Sequence, residues 1–123
     1  MLYYILRPLI YWCLHAWFRN IVIVGKENLE LEGPIIYVSN HPNAALDPLL
    51  LATHQKPKLY YLAAAEWFGK GFKNYVFRDH FNMIPVGRPW LKAGQEVSNE
   101  EVFEQCYQAL AKGKRIVIYP EGS

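Results

Sequence analysis

Residues 34–50 read PIIYVSNHPNAALDPLL, and the interpretation of the whole chain starts from this stretch. Its first part, residues 34–38, is a short apolar run rich in β-branched residues, which is typical of a buried strand. Its last part continues as a helix, for which Asn43 is a suitable cap. His41 is therefore expected at the mouth of a strand and Asp47 in the first turn of the next helix. Such a pair can act as a general base, because the imidazole takes up a proton near neutral pH and the carboxylate orients it.

The remaining pattern alternates between strands and helices. Ser98 and Glu101 form a capping box before a helical run, and Gly113 ends that run. The alternation predicts an α/β domain with a mostly parallel sheet flanked by helices. The predicted strands cover residues 20–25, 34–38, 58–64, 83–86 and 115–119, and the predicted helices cover residues 43–53, 66–81 and 98–112.

Three polar residues each follow a predicted strand, which is where ligands gather in parallel sheets. These residues are His41, Arg88 and Glu121. Arg88 lies between Gly87 and a proline, so a fixed backbone can present its guanidinium to a phosphate. Glu121 is followed by Gly122, which lets backbone N–H groups approach a ligand.

Residues 1–19 are predicted to form a separate membrane-interacting helix in front of the α/β domain at residues 20–123. Up to residue 18 the segment is nearly all apolar or aromatic, and it is short for a membrane-spanning helix. Residues 1–26 contain three basic residues and no acidic one, which suits an anionic membrane surface. Trp12 and Trp17 favour a helix that lies at the lipid headgroups. A spanning anchor and a core helix of a soluble domain are the alternatives.

Composition limits the remaining function classes. A length of 123 residues allows one domain at most, and a net charge of +2 gives no argument for a nucleic-acid partner. Cys13 and Cys106 are far apart in unrelated contexts, which favours reduced thiols. The sequence ends just after a predicted strand, so we expect an amino-terminal fragment of a longer protein, with the sheet incomplete at its carboxyl end.

Three blocks of the sequence together resemble the glycerolipid acyltransferase superfamily, which includes glycerol-3-phosphate and lysophosphatidate acyltransferases. The blocks are Asn40-His41 with Asp47, then residues 84–88 (IPVGR), and finally residues 119–123 (YPEGS). Five residues separate His41 from Asp47, one more than in the common family pattern, as in a subgroup related to fungal glycerol-3-phosphate acyltransferases. The family's fourth block has no counterpart in the sequence.

The resemblance implies a function. Family members transfer an acyl group from a thioester of coenzyme A or acyl carrier protein to a hydroxyl of glycerol-3-phosphate or lysophosphatidate in phospholipid synthesis. Carried over, His41 is the catalytic base and Asp47 orients it. Substrate binding falls to Asn40, Gly87, Arg88, Glu121 and Gly122. The implied partners are the acyl donor, a phosphorylated glycerol acceptor and membrane lipids, with no cofactor and no metal, at the cytoplasmic face of a membrane.

Three alternatives remain open. A hydrolase would use Ser39 or Ser123 with His41, although no G-x-S-x-G nucleophile elbow is present. A metal site would combine His41, Asp47 and His54, although no second histidine is spaced for chelation on one helix face. The third alternative is a non-catalytic membrane-binding module or an inactive fragment of the enzyme.

Overall fold

The computed structural model describes residues 2–43, 45–55, 58–64, 71–76, 78, 81–87 and 98–121. The four described strands form one all-parallel sheet in the order β1–β4–β2–β3, flanked by helices. The chain is therefore an α/β protein, as the sequence pattern predicted. The described elements are, in chain order, α1 (Leu2–Trp17), α2 (Lys26–Leu29), β1 (Ile35–Val38), α3 (Leu46–His54), β2 (Leu59–Ala64), α4 (Phe72–Tyr75), β3 (Met83–Val86), α5 (Asn99–Ala111) and β4 (Arg115–Ile118).

One face of the sheet carries the main hydrophobic core. Its buried centre is formed by Leu59, Tyr61 and Val117, which lie on the two neighbouring strands β2 and β4. Alternate residues of a strand point to the same face, so these side chains form one surface, and Leu51 and Ala52 of α3 cover it. This packing fixes α3, and with it Asp47 in the first turn of that helix.

The other face of the sheet is covered only in part, by α5, which packs against β3 and β4, whereas Ile36 and Val38 of β1 are 53% and 64% exposed. The Ser98 hydroxyl caps this helix by accepting a hydrogen bond from the backbone N–H of Glu100 at 3.2 Å. Gly113 ends the helix with a φ of +71°, a left-handed conformation that favours glycine. Both predicted ends of the helix are confirmed.

Residues 20–25 do not form the strand predicted for them. Ile21 and Ile23 turn inward and line a cavity beside α1, whereas Val22 and Val24 are 80% and 92% exposed. The segment has the β-branched residues and the alternation of a strand, but no described strand pairs with it. Strand propensity expresses packing on a paired sheet, so without a partner the segment remains irregular.

The predicted helix at residues 66–81 is described only in part. Residues Phe72–Tyr75 are helical, and much of the rest of the span lies outside the described residues.

Helix α1 packs against α3. Arg7 fixes this contact, because its guanidinium donates hydrogen bonds to the carbonyl oxygens of Ala52 and Thr53 at 3.2 and 3.1 Å. These carbonyls belong to the last turn of α3, where a cation satisfies unpaired acceptors and complements the helix dipole. In the described part of the chain, no helix combines the length and the apolar character needed to cross a membrane.

Candidate functional site

The candidate site lies at the carboxyl edge of the sheet, where the adjacent strands β1 and β4 end level with each other. Val38 is the register partner of Ile118, and the backbone N–H of Ser39 donates to the Ile118 carbonyl at 3.2 Å. His41 and Glu121 each come three residues after their strand ends. The parallel register therefore brings the loops that carry His41 and Glu121 side by side.

His41 and Asp47 form a hydrogen-bonded pair. Nδ1 of His41 lies 3.1 Å from Oδ2 of Asp47, and the two side chains are only 13% and 20% exposed. Because a carboxylate accepts hydrogen bonds, the proton of the neutral ring belongs on Nδ1, which leaves the lone pair on Nε2. No described residue forms a hydrogen bond with Nε2. The pair can therefore take up a proton from a bound hydroxyl.

Asn43 shapes the loop between the two residues. Its side-chain oxygen accepts hydrogen bonds from the backbone N–H groups of Ala45 and Leu46 at 3.2 and 3.0 Å, which satisfies two donors at the start of α3, although the N-cap position itself is Ala45 rather than the predicted Asn43. Its own backbone N–H donates to Oδ2 of Asp47 at 2.9 Å. These hydrogen bonds of Asn43 tie the loop after His41 to the start of α3, and with a spacing of five residues the side chains of His41 and Asp47 still meet.

Two residues that follow β4 hold His41 from the other side. The ring of Tyr119 stacks on the imidazole, with centroids 4.1 Å apart and planes 22° apart. Oε2 of Glu121 accepts a hydrogen bond from the backbone N–H of His41 at 3.3 Å. Burial raises the pKa of Tyr119 to about 12, and the nearby charge of Asp47 contributes in the same direction. The strand-end loops therefore fix both the ring and the backbone of His41.

Sequence reasoning did not identify Tyr119 as part of the site. Its type is common in a strand, and its position just before Pro120-Glu121 gave no chemical signal. The level ends of β1 and β4 would have been the useful indication, because they place the first residue after β4 beside the loop that carries His41.

The structure describes three of the five predicted substrate-binding residues, namely Asn40, Gly87 and Glu121. Asn40 is exposed and directly precedes His41, while Gly87 directly follows β3. Because β2 separates β3 from β4 and strands lie about 4.8 Å apart, Gly87 is at the same edge but about 10 Å from β4. Arg88 and Gly122 lie outside the described residues.

The geometry also bears on the hydrolase and metal alternatives. The hydroxyl of Ser39 donates to the adjacent Asn40 carbonyl at 3.0 Å rather than to His41, and Ser123 lies outside the described residues. Among the described residues, no group of three or more His, Cys, Asp or Glu side chains could hold a metal ion. His54 is at the opposite end of α3 from Asp47, about 10 Å along the helix, so the three proposed ligands do not meet.

Comparison with known proteins identifies the family. A family model described as acyltransferase matches residues 20–123, which is most of the chain. Neither the curated proteins nor the solved structures contain a match. The matched region includes all four described strands and every described residue of the candidate site. The chain therefore belongs to the acyltransferase family and is an acyltransferase.

Proposed function

We propose that the protein transfers a fatty acyl group from acyl-coenzyme A or acyl carrier protein to a hydroxyl of glycerol-3-phosphate or lysophosphatidate, as a step of phospholipid synthesis. The observation that carries this proposal is the contact of 3.1 Å between Nδ1 of His41 and Oδ2 of Asp47 at the carboxyl edge of the sheet. It supplies a base for activating a hydroxyl in a family that transfers acyl groups.

In the proposed reaction, Nε2 of His41 removes the proton from the acceptor hydroxyl as its oxygen attacks the thioester carbonyl. The resulting tetrahedral intermediate collapses, the carbon–sulfur bond breaks, and the imidazolium returns the proton to the leaving thiolate. The carboxylate of Asp47 stabilises the imidazolium between these steps. Two substrates held in place need no protein nucleophile, so the pair is sufficient without an activated serine.

The phosphate of the acceptor is assigned to Arg88, since a guanidinium forms paired hydrogen bonds with phosphate oxygens. Asn40 and Gly87 are also assigned to substrate binding, and Gly122 is assigned to shaping the phosphate site. Glu121 has a positioning role in this scheme, because its carboxylate oxygen accepts a hydrogen bond from the backbone of His41.

The exposed surface of α1 supports a proposed membrane attachment. Several large apolar side chains of this helix face solvent, among them Trp12 at 71% and Trp17 at 85% exposure. Tryptophan prefers the headgroup region, and a helix too short to span can lie along it. We assign membrane lipids as a partner and the cytoplasmic face as the location. A non-catalytic membrane-binding module is the second candidate, which the same exposed helix favours.

A thioester-cleavage assay on the complete protein in membranes tests the substrates. Thiol release is followed with acyl-coenzyme A and then with acyl carrier protein as donor, while glycerol-3-phosphate and lysophosphatidate are offered in turn. Release that depends on one of these acceptors, together with the acylated product, identifies the reaction. Release without any acceptor indicates a thioesterase instead. The absence of release with either donor favours the membrane-binding module.

The phosphate assignment has its own test. Replacing Arg88 by alanine should raise the KM for the phosphorylated acceptor about tenfold or more, while the KM for the acyl donor stays unchanged. The matched control is Arg78→Ala, which removes an exposed arginine from the same chain. An equal effect of Arg88→Ala on an unphosphorylated acceptor contradicts the assignment.

A further inference from the structure

His41 is held by contacts of two different kinds. Asp47 binds one edge of the imidazole at 3.1 Å, and Tyr119 lies against its face with the ring centroids 4.1 Å apart. A hydrogen bond at one ring atom leaves the imidazole able to swing about that atom. A second ring stacked on the face removes this freedom, so together the two contacts determine where Nε2 lies.

The stacked arrangement is also suited to a ring that gains charge. During the proposed reaction His41 becomes an imidazolium, and the negatively polarised face of an aromatic ring attracts a cation. The planes are only 22° apart, so the imidazolium lies over the face of Tyr119 rather than over its edge. The contact is therefore stronger in the charged state than in the resting state, which is the property that increases kcat.

The hydroxyl of Tyr119 does not take part in this contact. Its oxygen is buried and has no hydrogen-bond partner in the described part of the chain. The ring itself packs against the core formed by Leu59, Tyr61 and Val117, and this packing holds the ring in place. The face of the ring and the hydroxyl can therefore be separated by substitution.

We propose that Tyr119 is a positioning residue for acyl transfer, and that its aromatic ring, not its hydroxyl, holds His41 in the orientation that accepts the proton. This inference rests on the proposed function, because it assumes that His41 is the base. It assigns the residue before Pro120-Glu121 a role in proton transfer through contact with the imidazole.

The test compares three variants of the complete protein in the acceptor-dependent thiol-release assay. Tyr119→Leu removes the aromatic face and should lower kcat about tenfold, which is about 1.4 kcal/mol, with both KM values unchanged. Tyr119→Phe keeps the face and should retain the wild-type kcat. Tyr60→Leu is the matched control, because it removes a half-buried tyrosine that precedes the core residue Tyr61 and therefore points to the opposite face of the sheet. It should leave kcat unchanged.

Two results overturn the inference. One is a wild-type kcat in a folded Tyr119→Leu protein, and the other is an equal loss in Tyr119→Phe, which would assign the role to the hydroxyl. Unfolding by urea, measured for each variant, shows that the compared proteins are folded.

A double substitution separates this inference from the proposed function. In a His41→Ala background, Tyr119→Leu should cause no further loss, because no imidazole remains to be positioned. A further loss of similar size contradicts the inference, since it shows that Tyr119 acts independently of His41. If His41→Ala itself keeps wild-type turnover, the proposed function fails instead.

Discussion

The two ends of the sheet use polar side chains in opposite ways. At the amino end of β4, Arg115 is only 8% exposed and donates to four acceptors. At the carboxyl end, His41 uses one ring nitrogen to contact Asp47, and no described residue bonds to the other. The acceptors of Arg115 are the carbonyl oxygens of Leu29 and Leu31, the hydroxyl of Tyr37 and the side-chain oxygen of Gln55.

This difference in hydrogen bonding indicates that the amino end of the sheet contributes to folding and the carboxyl end to the chemistry of the site. Arg115 ties the segment around α2, strand β1 and the end of α3 to β4, and its hydrogen-bonding capacity is used for folding. The contacts around His41 instead fix the imidazole while leaving its Nε2 without a hydrogen bond to any described residue. Substitutions at the amino end should therefore change stability, and substitutions at the carboxyl end should change turnover.

The largest expected effect is on stability. Replacing Arg115 by methionine removes charged donors from four buried or partly buried acceptors, so we expect a loss of about 4 kcal/mol in the free energy of unfolding. Arg7→Met removes two such bonds and should cost about half as much. Urea denaturation measures both values. A loss of turnover per folded molecule in Arg115→Met would contradict the prediction that substitutions at the amino end of the sheet change only stability.

The next effect is on turnover. Asp47→Asn keeps the size of the side chain but removes the charge that stabilises the imidazolium, so kcat should fall about a hundredfold. Because the amide oxygen can still accept the hydrogen bond from the backbone N–H of Asn43, stability should change little. Glu104→Gln, which neutralises an exposed carboxylate on α5, is the control and should leave kcat unchanged. Wild-type turnover by Asp47→Asn would show that the pair is structural.

Glu121→Gln should have a smaller effect. The amide oxygen can still accept the hydrogen bond from the backbone N–H of His41, so kcat should fall by no more than about threefold. Glu121→Ala removes the acceptor and should cost more. Equal losses in the two variants would mean that the charge of Glu121, rather than its contact with the backbone, is required.

The remaining prediction concerns stability at alkaline pH. Burial raises the pKa of Tyr119 to about 12, whereas the unfolded chain ionises near its ordinary value of 10. Above pH 10 the unfolded state therefore binds fewer protons than the folded state, and stability falls as the pH rises to about 12. Tyr119→Phe should reduce this loss in denaturation experiments between pH 8 and 11. An unchanged slope would contradict the burial of the hydroxyl.

Much of the fold could be predicted from local pattern. The strand at residues 83–86 and the helix between Ser98 and Gly113 carry their own signals, namely a short apolar run and paired end caps. Residues 20–25 were predicted wrongly because a strand also needs a partner, and pairing is not visible in six residues. The local sequence indicates which secondary structure a segment favours, whereas pairing within the sheet determines whether a strand forms.

The candidate site was predictable to a similar degree. The contact between His41 and Asp47 follows from a strand, a turn and the first turn of a helix, all within one stretch of sequence. The contacts of Tyr119 and Arg115 join residues 60 to 86 positions apart, so they depend on the strand order. Sequence reasoning had no access to that order, and it therefore missed both residues.

The most direct test of the account measures acceptor-dependent thiol release by the complete protein, in wild-type form and as His41→Ala. The account predicts that His41→Ala lowers kcat by about a thousandfold while its unfolding curve stays close to that of the wild type. His54→Ala, which removes a histidine from the opposite end of α3, should keep wild-type turnover. Wild-type turnover by a folded His41→Ala protein would contradict the account.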